Sequence, residues 1–209
     1  MEQSRLAELV ASKVCHDFMG PMTALMRGLE LLKESGAAQK DAEALSLLET
    51  GVHKAQAKLD FYRHAFGGAL GSADAELRLS AGRPAAESVF STFKAKLVWR
   101  ATDVALPRAA LRVVLNMLMI ANDCLAKGGE IALEAEPGEV RVIATGERAR
   151  LRQEISDGLR GEFSEEGFQS LYIQPFLTAL LARQAGVELS AREAPDRIEL
   201  VLKSPLFKA

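Results

Sequence analysis

From Glu2 to Phe66 the apolar positions recur at spacings of three and four, with no two-residue alternation, so the pattern predicts helix throughout. The stretch "ESGAAQ" at 34–39 interrupts it and predicts a turn between two long helices. The second helix carries Leu45, Leu48, Val52, Ala55, Leu59, Tyr62 and Phe66, the seam of a coiled coil or bundle. With about 100° of rotation per residue, Ala7, Val14, Phe18, Leu25, Leu29 and Leu32 share one face of the first helix. Two helices with one apolar stripe each cannot bury both stripes. A second copy of the hairpin would complete a four-helix bundle on dimerisation. The other solution is packing of the hairpin on the remainder of its own chain.

After Phe66 the pattern changes. "GGALGS" at 67–72 places three glycines in six residues and reads as a linker. Beyond it, "AELRLS" predicts a strand, "RPAAESVFSTFKAK" a helix with Pro84 near its start, and "LVWRAT" a strand. "PRAALRVVLNMLMIANDCLAK" predicts a helix closed by Gly128 and Gly129. "EIALEAE" and "EVRVIAT" form a hairpin across Pro137-Gly138, "LYIQPFLTALLARQAG" a helix, and "ELSAREAPDRIELVLKS" a second hairpin. The expected organisation is α+β: a helical hairpin at 1–66, a linker at 67–73, and an α/β sandwich with a mixed sheet covered on one face at 74–209.

Composition narrows the function classes. The 209 residues are 48% hydrophobic and 26% charged, as a folded domain with a core requires. A net charge of -2 offers no basic footprint for nucleic acid. No apolar run is long enough to span a bilayer, and the N-terminal residues do not resemble a signal peptide. A cytoplasmic protein is expected. Cys15 and Cys124 lack metal-ligand spacing and are expected to be small buried side chains.

The chemistry gathers in "ASKVCHDFMGPMTAL" at 11–25. His16 points away from the apolar face of the first helix, beside Ser12, Gly20, Thr23 and Arg27, with Lys13 alongside. Small neighbours leave the imidazole open to close approach. Asp17 follows directly and can fix the tautomer by hydrogen-bonding one ring nitrogen, which leaves the other a better nucleophile. Pro21 cannot donate a backbone hydrogen bond to Asp17, four residues back, and is expected to bend the helix beneath the site. His53 and His64 have neither neighbour and read as surface residues of the bundle.

His-Asp-x-x-x-Pro inside a long helix, followed by a second helix, resembles the dimerisation and phosphoacceptor hairpin of two-component histidine kinases. That resemblance gives His16 the role of phosphorylated residue and Asp17 a role in orientation and proton handling. The second half resembles the kinase ATP-binding domain in a degenerate form. The first Asn of its helical box aligns with Asn116, but the magnesium-binding Asn falls on Ile120, and a hard cation needs oxygen ligands. The adenine-reading Asp becomes Ala144; one glycine of that box survives as Gly146 and the other becomes Arg148. The last glycine-rich box falls on Glu166, Phe168 and Ser170. Without glycines the backbone cannot approach phosphates closely.

Taken together, "VCHDFMGPMTALMRGLELL", "LDFYRHAFG" and "GERARLR" are similar to the ChpT-type histidine phosphotransferases, dimeric phosphorelay proteins with a degenerate ATPase-like domain. The resemblance implies a His–Asp phosphotransferase that moves a phosphoryl group between aspartates of receiver domains without ATP. Its partners would be the receiver of a hybrid histidine kinase and response regulators. No cofactor or metal of its own is expected, the receiver supplying Mg²⁺. Lys13 is a candidate to neutralise the phosphoryl oxygens, although a solvated surface charge accounts for it equally well. Gly20, Thr23 and Arg27 are candidates for receiver docking, with Gly20 standing where similar proteins often have Ser; "GERARLR" is a weaker candidate. Two other readings remain at this point: a dimeric scaffold that binds receivers or kinases without being phosphorylated, and an active kinase with a divergent nucleotide site.

Overall fold

The computed structural model of the chain describes residues 3–34, 38–67, 72, 75–162 and 172–209. The centre of the first turn, most of the linker, and Glu166, Phe168 and Ser170 lie outside them.

Helix α1 (Gln3–Lys33) and helix α2 (Ala38–Ala65) form the hairpin. They approach most closely where side chains are smallest. A Cβ on Gly28 would lie 2.8 Å from Leu48 Cγ and 2.9 Å from the Ala44 carbonyl oxygen; one on Gly51 would lie 2.8 Å from Leu25 Cγ. Helix α1 runs unbroken through Pro21.

The rest is an α/β layer. Strands β2 (Ala95–Trp99), β4 (Gly129–Glu136), β5 (Glu139–Thr145), β6 (Glu188–Ala194) and β7 (Arg197–Lys203) form a five-stranded sheet in the order β2-β4-β5-β7-β6. Only β2 and β4 pair in parallel, so the sheet is mixed, as expected. Alternation places Ile131, Leu133, Val140, Val142, Ile198, Leu200 and Leu202 in the core. On the opposite face, Glu134, Glu139, Arg141 and Lys203 pair as ions. Helices α3 (Arg83–Phe90), α4 (Arg108–Asp123), α5 (Gln153–Arg160) and α6 (Ile173–Gln184) complete the layer.

Several expectations change. The strand expected from "AELRLS" is β1 (Glu76–Arg78), but it pairs with β3 (Ala105–Pro107) in a separate two-stranded sheet. Neither β3 nor α5 shows in the hydrophobic pattern: β3 spans only three residues, and α5 carries just two large apolar side chains, Ile155 and Leu159. Helix α3 ends at Phe90, six residues short of expectation, and Ala95 and Lys96 belong to β2.

The hairpin also packs on its own chain. Phe61, Tyr62 and Ala65 of α2 are buried in the same core as α4 and the sheet, with Val14, Phe18 and Phe66 against it. Leu9 of α1 packs with Ile173 and Phe176 of α6. Inside this junction, Asn116 Nδ2 donates to the Ala65 carbonyl at 3.1 Å, and Gln174 Nε2 donates to Asn116 Oδ1 at 3.2 Å. Arg112 Nη2 donates to the Phe66 carbonyl at 3.1 Å. The Ala65 carbonyl at the end of α2 and the Phe66 carbonyl just beyond it are thus satisfied by side chains of α4.

The α1 face expected to be buried is rotated. Leu9, Lys13, Pro21 and Gly28 form its buried line, whereas Ala7 and Leu29 are exposed. Gly28 sits at the close crossing, and Val14, Phe18, Leu25 and Leu32 of the expected face are half-buried beside that line.

Candidate functional site

Asp17 is the centre of the hairpin's polar chemistry. Its side chain is only 12% exposed, against 61% for His16. Lys13, one turn earlier on α1, donates from Nζ to Asp17 Oδ2 at 2.5 Å. The Tyr62 hydroxyl, arriving from α2, donates to the same oxygen. Asp17 Oδ1 faces His16 Nδ1 at 3.4 Å. A second α2 residue, Lys58, donates from Nζ to the Asp17 backbone carbonyl at 2.5 Å. In an uninterrupted helix that carbonyl would accept the N–H of residue 21, which proline lacks. The proline therefore exposes an acceptor that the neighbouring helix fills.

Charge follows from this arrangement. Burial pushes the Asp17 carboxyl up, but Lys13, Tyr62 and His16 outweigh it, and the pKa lies below the usual carboxylate value. Burial lowers the Lys58 ammonium, against the pull of Asp17. Burial and the Asp17 carboxylate raise the Tyr62 phenol far above its ordinary value, so it stays a donor. Asp17 is an acceptor at every oxygen, and its ring-facing oxygen selects the Nδ1–H tautomer of His16. Nε2 then keeps its lone pair and faces away from the carboxylate.

The expected outward face of α1 is present. Ser12, His16, Gly20, Thr23 and Arg27 are all exposed. A Cβ on Gly20 would meet nothing within 4 Å among the described residues, and Gly20 itself is exposed beside the imidazole. Thr23 Oγ1 donates back to the Met19 carbonyl at 2.9 Å. Of the two readings of Lys13 the solvated charge fails, and one expectation for the cysteines fails with it. Lys13 is not a solvated charge: it is buried, because its stem lies on the inner side of α1 and its ammonium reaches Asp17. Cys15 is exposed rather than buried, since α1's inner face lies along Lys13 and Asp17 instead; Cys124 is buried as expected. His53 and His64 are exposed, although His53 Nε2 also meets Ser91 Oγ at 3.1 Å.

The sequence did not single out Tyr62 and Lys58 as part of this site. The available signal was a polar-tipped residue in an otherwise apolar seam with a lysine four positions earlier, on the same helix face.

A cleft of about 430 Å³ opens between the hairpin and the sandwich layer, lined by His16, Asp17, Lys13, Lys94, Asp123 and Arg152 among others. Dense surroundings push the Asp123 carboxyl up to about 6, with Lys13 opposing, although one side of the residue remains open to solvent. The positions that the resemblance matched to nucleotide-binding residues of kinases serve packing here. Ile120 and Ala144 are fully buried apolar side chains, and Asn116 is occupied by the α2 junction. The segment after β5 keeps Gly146 and exposes Arg148, Arg150 and Arg152. Its backbone is tied down by Asp196 Oδ1, which accepts from the Arg148 N–H at 2.7 Å, and by the Cys124 carbonyl, which accepts from the Arg150 N–H at 3.1 Å. Among the described residues, no helix is long and apolar enough to cross a membrane.

Comparison with known proteins agrees with this picture across nearly the whole chain. Residues 82–197 match the family model described as "Histidine phosphotransferase C-terminal domain". The chain is 34% identical over 197 residues to the protein phosphotransferase ChpT of Brucella abortus (strain 2308), covering 92% of each. It superposes with a TM-score of 0.85 on a crystal structure titled as a bacterial phosphotransferase, at 29% identity, covering 97% of this chain and 98% of the other.

Proposed function

Because the chain belongs to the histidine phosphotransferase family and so serves a phosphorelay, we propose that His16 Nε2 is the atom that carries the phosphoryl group. The observation that carries this reading is the polarised, exposed ring. His16 is 61% exposed, its Nδ1 faces Asp17 Oδ1, and Asp17 is held from its other side by Lys13 and Tyr62.

The step is a displacement at phosphorus. The Nε2 lone pair attacks the phosphorus of an aspartyl phosphate on a receiver domain. The N–P bond forms as the P–O bond to the receiver's aspartate breaks, and that aspartate leaves as a carboxylate. No proton need be lost, because the positive charge that develops on the ring is shared through Nδ1–H with Asp17. Both phosphoryl links are high-energy, so the step reverses readily onto a second receiver. Catalysis is then mostly positioning and charge neutralisation. The Mg²⁺ would come with the receiver. Lys13, already paired with Asp17, would balance the charge of the site rather than grip phosphate alone.

Receivers would dock over the outward face of α1, at Gly20, Thr23 and Arg27, with the exposed arginines of "GERARLR" as a secondary contact. Charge complementarity favours an acidic partner surface there.

The same proposal includes a homodimer. Met19, Met22, Met26 and Leu29 of α1 are exposed at a/d spacing, and Leu45, Val52 and Leu59 of α2 are exposed every seventh residue. On a helical wheel the two stripes fall on the same side of the hairpin, about 100° round α1 from His16. Burying side chains of this size contributes about 1.5–3 kcal/mol each. A second hairpin would cover the stripe and leave the imidazole free.

The test is to supply a phosphorylated receiver domain and to look for acid-labile, base-stable phosphate on this chain. Transfer is expected to the wild type and not to His16→Ala; transfer that persists in the variant sinks the assignment. Tight receiver binding without labelling would favour a scaffold instead.

A further inference from the structure

Asp17 can orient His16 only if something orients Asp17. A carboxylate pivots easily about its last bond, and Lys13 sits on the same helix at the end of a flexible four-carbon stem. Tyr62 is different in kind. It reaches across from α2, it is 7% exposed, and its ring is packed among aromatic neighbours. The centroids of Phe66, Phe61 and Phe18 lie 5.1, 6.2 and 6.3 Å from its own. Two χ angles locked by packing leave its hydroxyl a single position. Because Tyr62 and Lys13 both donate to Oδ2, that oxygen is saturated and Oδ1 is left for His16.

Resting on the assignment of His16 as phosphoacceptor, we infer that Tyr62 is a positioning residue for the transfer reaction, setting the ring tautomer of His16 through Asp17 from the neighbouring helix. The phenol touches no reacting atom. Lys58, one turn earlier on α2, reinforces the same register through the Asp17 carbonyl, so α2 grips Asp17 by both its side chain and its backbone. The Tyr62 proton stays on oxygen throughout, in keeping with a phenol raised by burial beside a carboxylate.

The experiment compares wild type with Tyr62→Phe, which keeps the ring and removes only the hydroxyl. A receiver domain charged with acetyl phosphate, and selected for transfer to the wild-type chain, serves as donor. Two readouts are taken: the rate constant and apparent KM for transfer, and the ¹⁵N shifts of the His16 ring, which report tautomer without any turnover. The expected result is a rate constant about five- to tenfold lower with an unchanged KM, together with a shift of the ring population from Nδ1–H toward Nε2–H. An unchanged tautomer overturns the inference, whether or not the rate falls, because a merely structural tyrosine would give that result. An unchanged rate overturns it as well. Near-UV circular dichroism of the variant separates a loss of packing from a loss of orientation. The parent assignment fails by a different sign, retention of phosphate on His16→Ala, so the two failures are distinguishable.

Discussion

The Lys58 ammonium donates to the backbone carbonyl of Asp17, the acceptor that Pro21 leaves unpaired one turn below. A proline inside a helix commonly costs about 3 kcal/mol or more. Here much of that loss is offset by a charge-assisted bond from the second helix, and α1 runs on without a break. Lys58→Met should leave the carbonyl unsatisfied and destabilise the protein by about 1–3 kcal/mol in urea titration. In a Pro21→Ala background, where residue 21 can donate again, the same change should cost at least about 1 kcal/mol less. Equal costs in both backgrounds would show that the two residues do not share the carbonyl.

The α2 junction should be sensitive to Asn116. Asn116→Leu removes the donor to Ala65 and the acceptor of Gln174, whose own Oε1 has no partner among the described residues. A cost of roughly 2–4 kcal/mol is expected from buried polar groups left unpaired. Limited proteolysis between α2 and β1 should accelerate in parallel, since the hairpin loses its tether.

Two carboxyls give opposite pH signatures. The folded pKa of Asp17 lies below its ordinary 3.8, so its stabilising contribution is present above that value and disappears as pH falls through the folded one. Asp123 is raised to about 6, so the folded state holds its proton longer than the unfolded chain, and stability declines as pH rises from 3.8 to about 6. Asp123→Asn should therefore flatten that decline and raise stability at pH 7. The gain should be about 1 kcal/mol, a figure discounted for the solvent on the open side of Asp123. Chemical denaturation at pH 4, 5, 6 and 7 measures it; an unchanged pH slope would refute the account.

Gly28 sets how closely the two helices approach. In Gly28→Val the new side chain meets Leu48 and the Ala44 carbonyl. Leu48 can rotate away but the carbonyl cannot, so overpacking of about 1–3 kcal/mol is expected despite the better helix propensity. The melting temperature reads the change directly.

Leu59→Glu tests the proposed dimer. Leu59 is 53% exposed in the single chain, so glutamate there should leave the monomer folded while placing an unpaired charge in the stripe that a second hairpin would cover. Sedimentation should then show a shift to monomer with an unaltered far-UV spectrum. Leu48 is the wrong position for this experiment, because it packs against Gly28 inside the hairpin.

Sequence alone was enough to read the helices of the hairpin, the mixed sheet with its two tight hairpins, the outward direction of His16 and the apolar character of Ile120 and Ala144. All of these follow from periodicity or from side-chain chemistry at a single position, which neighbours in sequence suffice to express. The company those residues keep was fixed by the packing of distant segments. Whether Lys13 is solvated or buried depends on which side of α1 meets α2, and that was settled by where Gly28 and Gly51 allow close approach. The roles of Tyr62 and Lys58 depend on a contact more than forty residues away along the chain. Hydrophobic patterning marks a residue as facing inward; it carries no information about which atom waits on the other side.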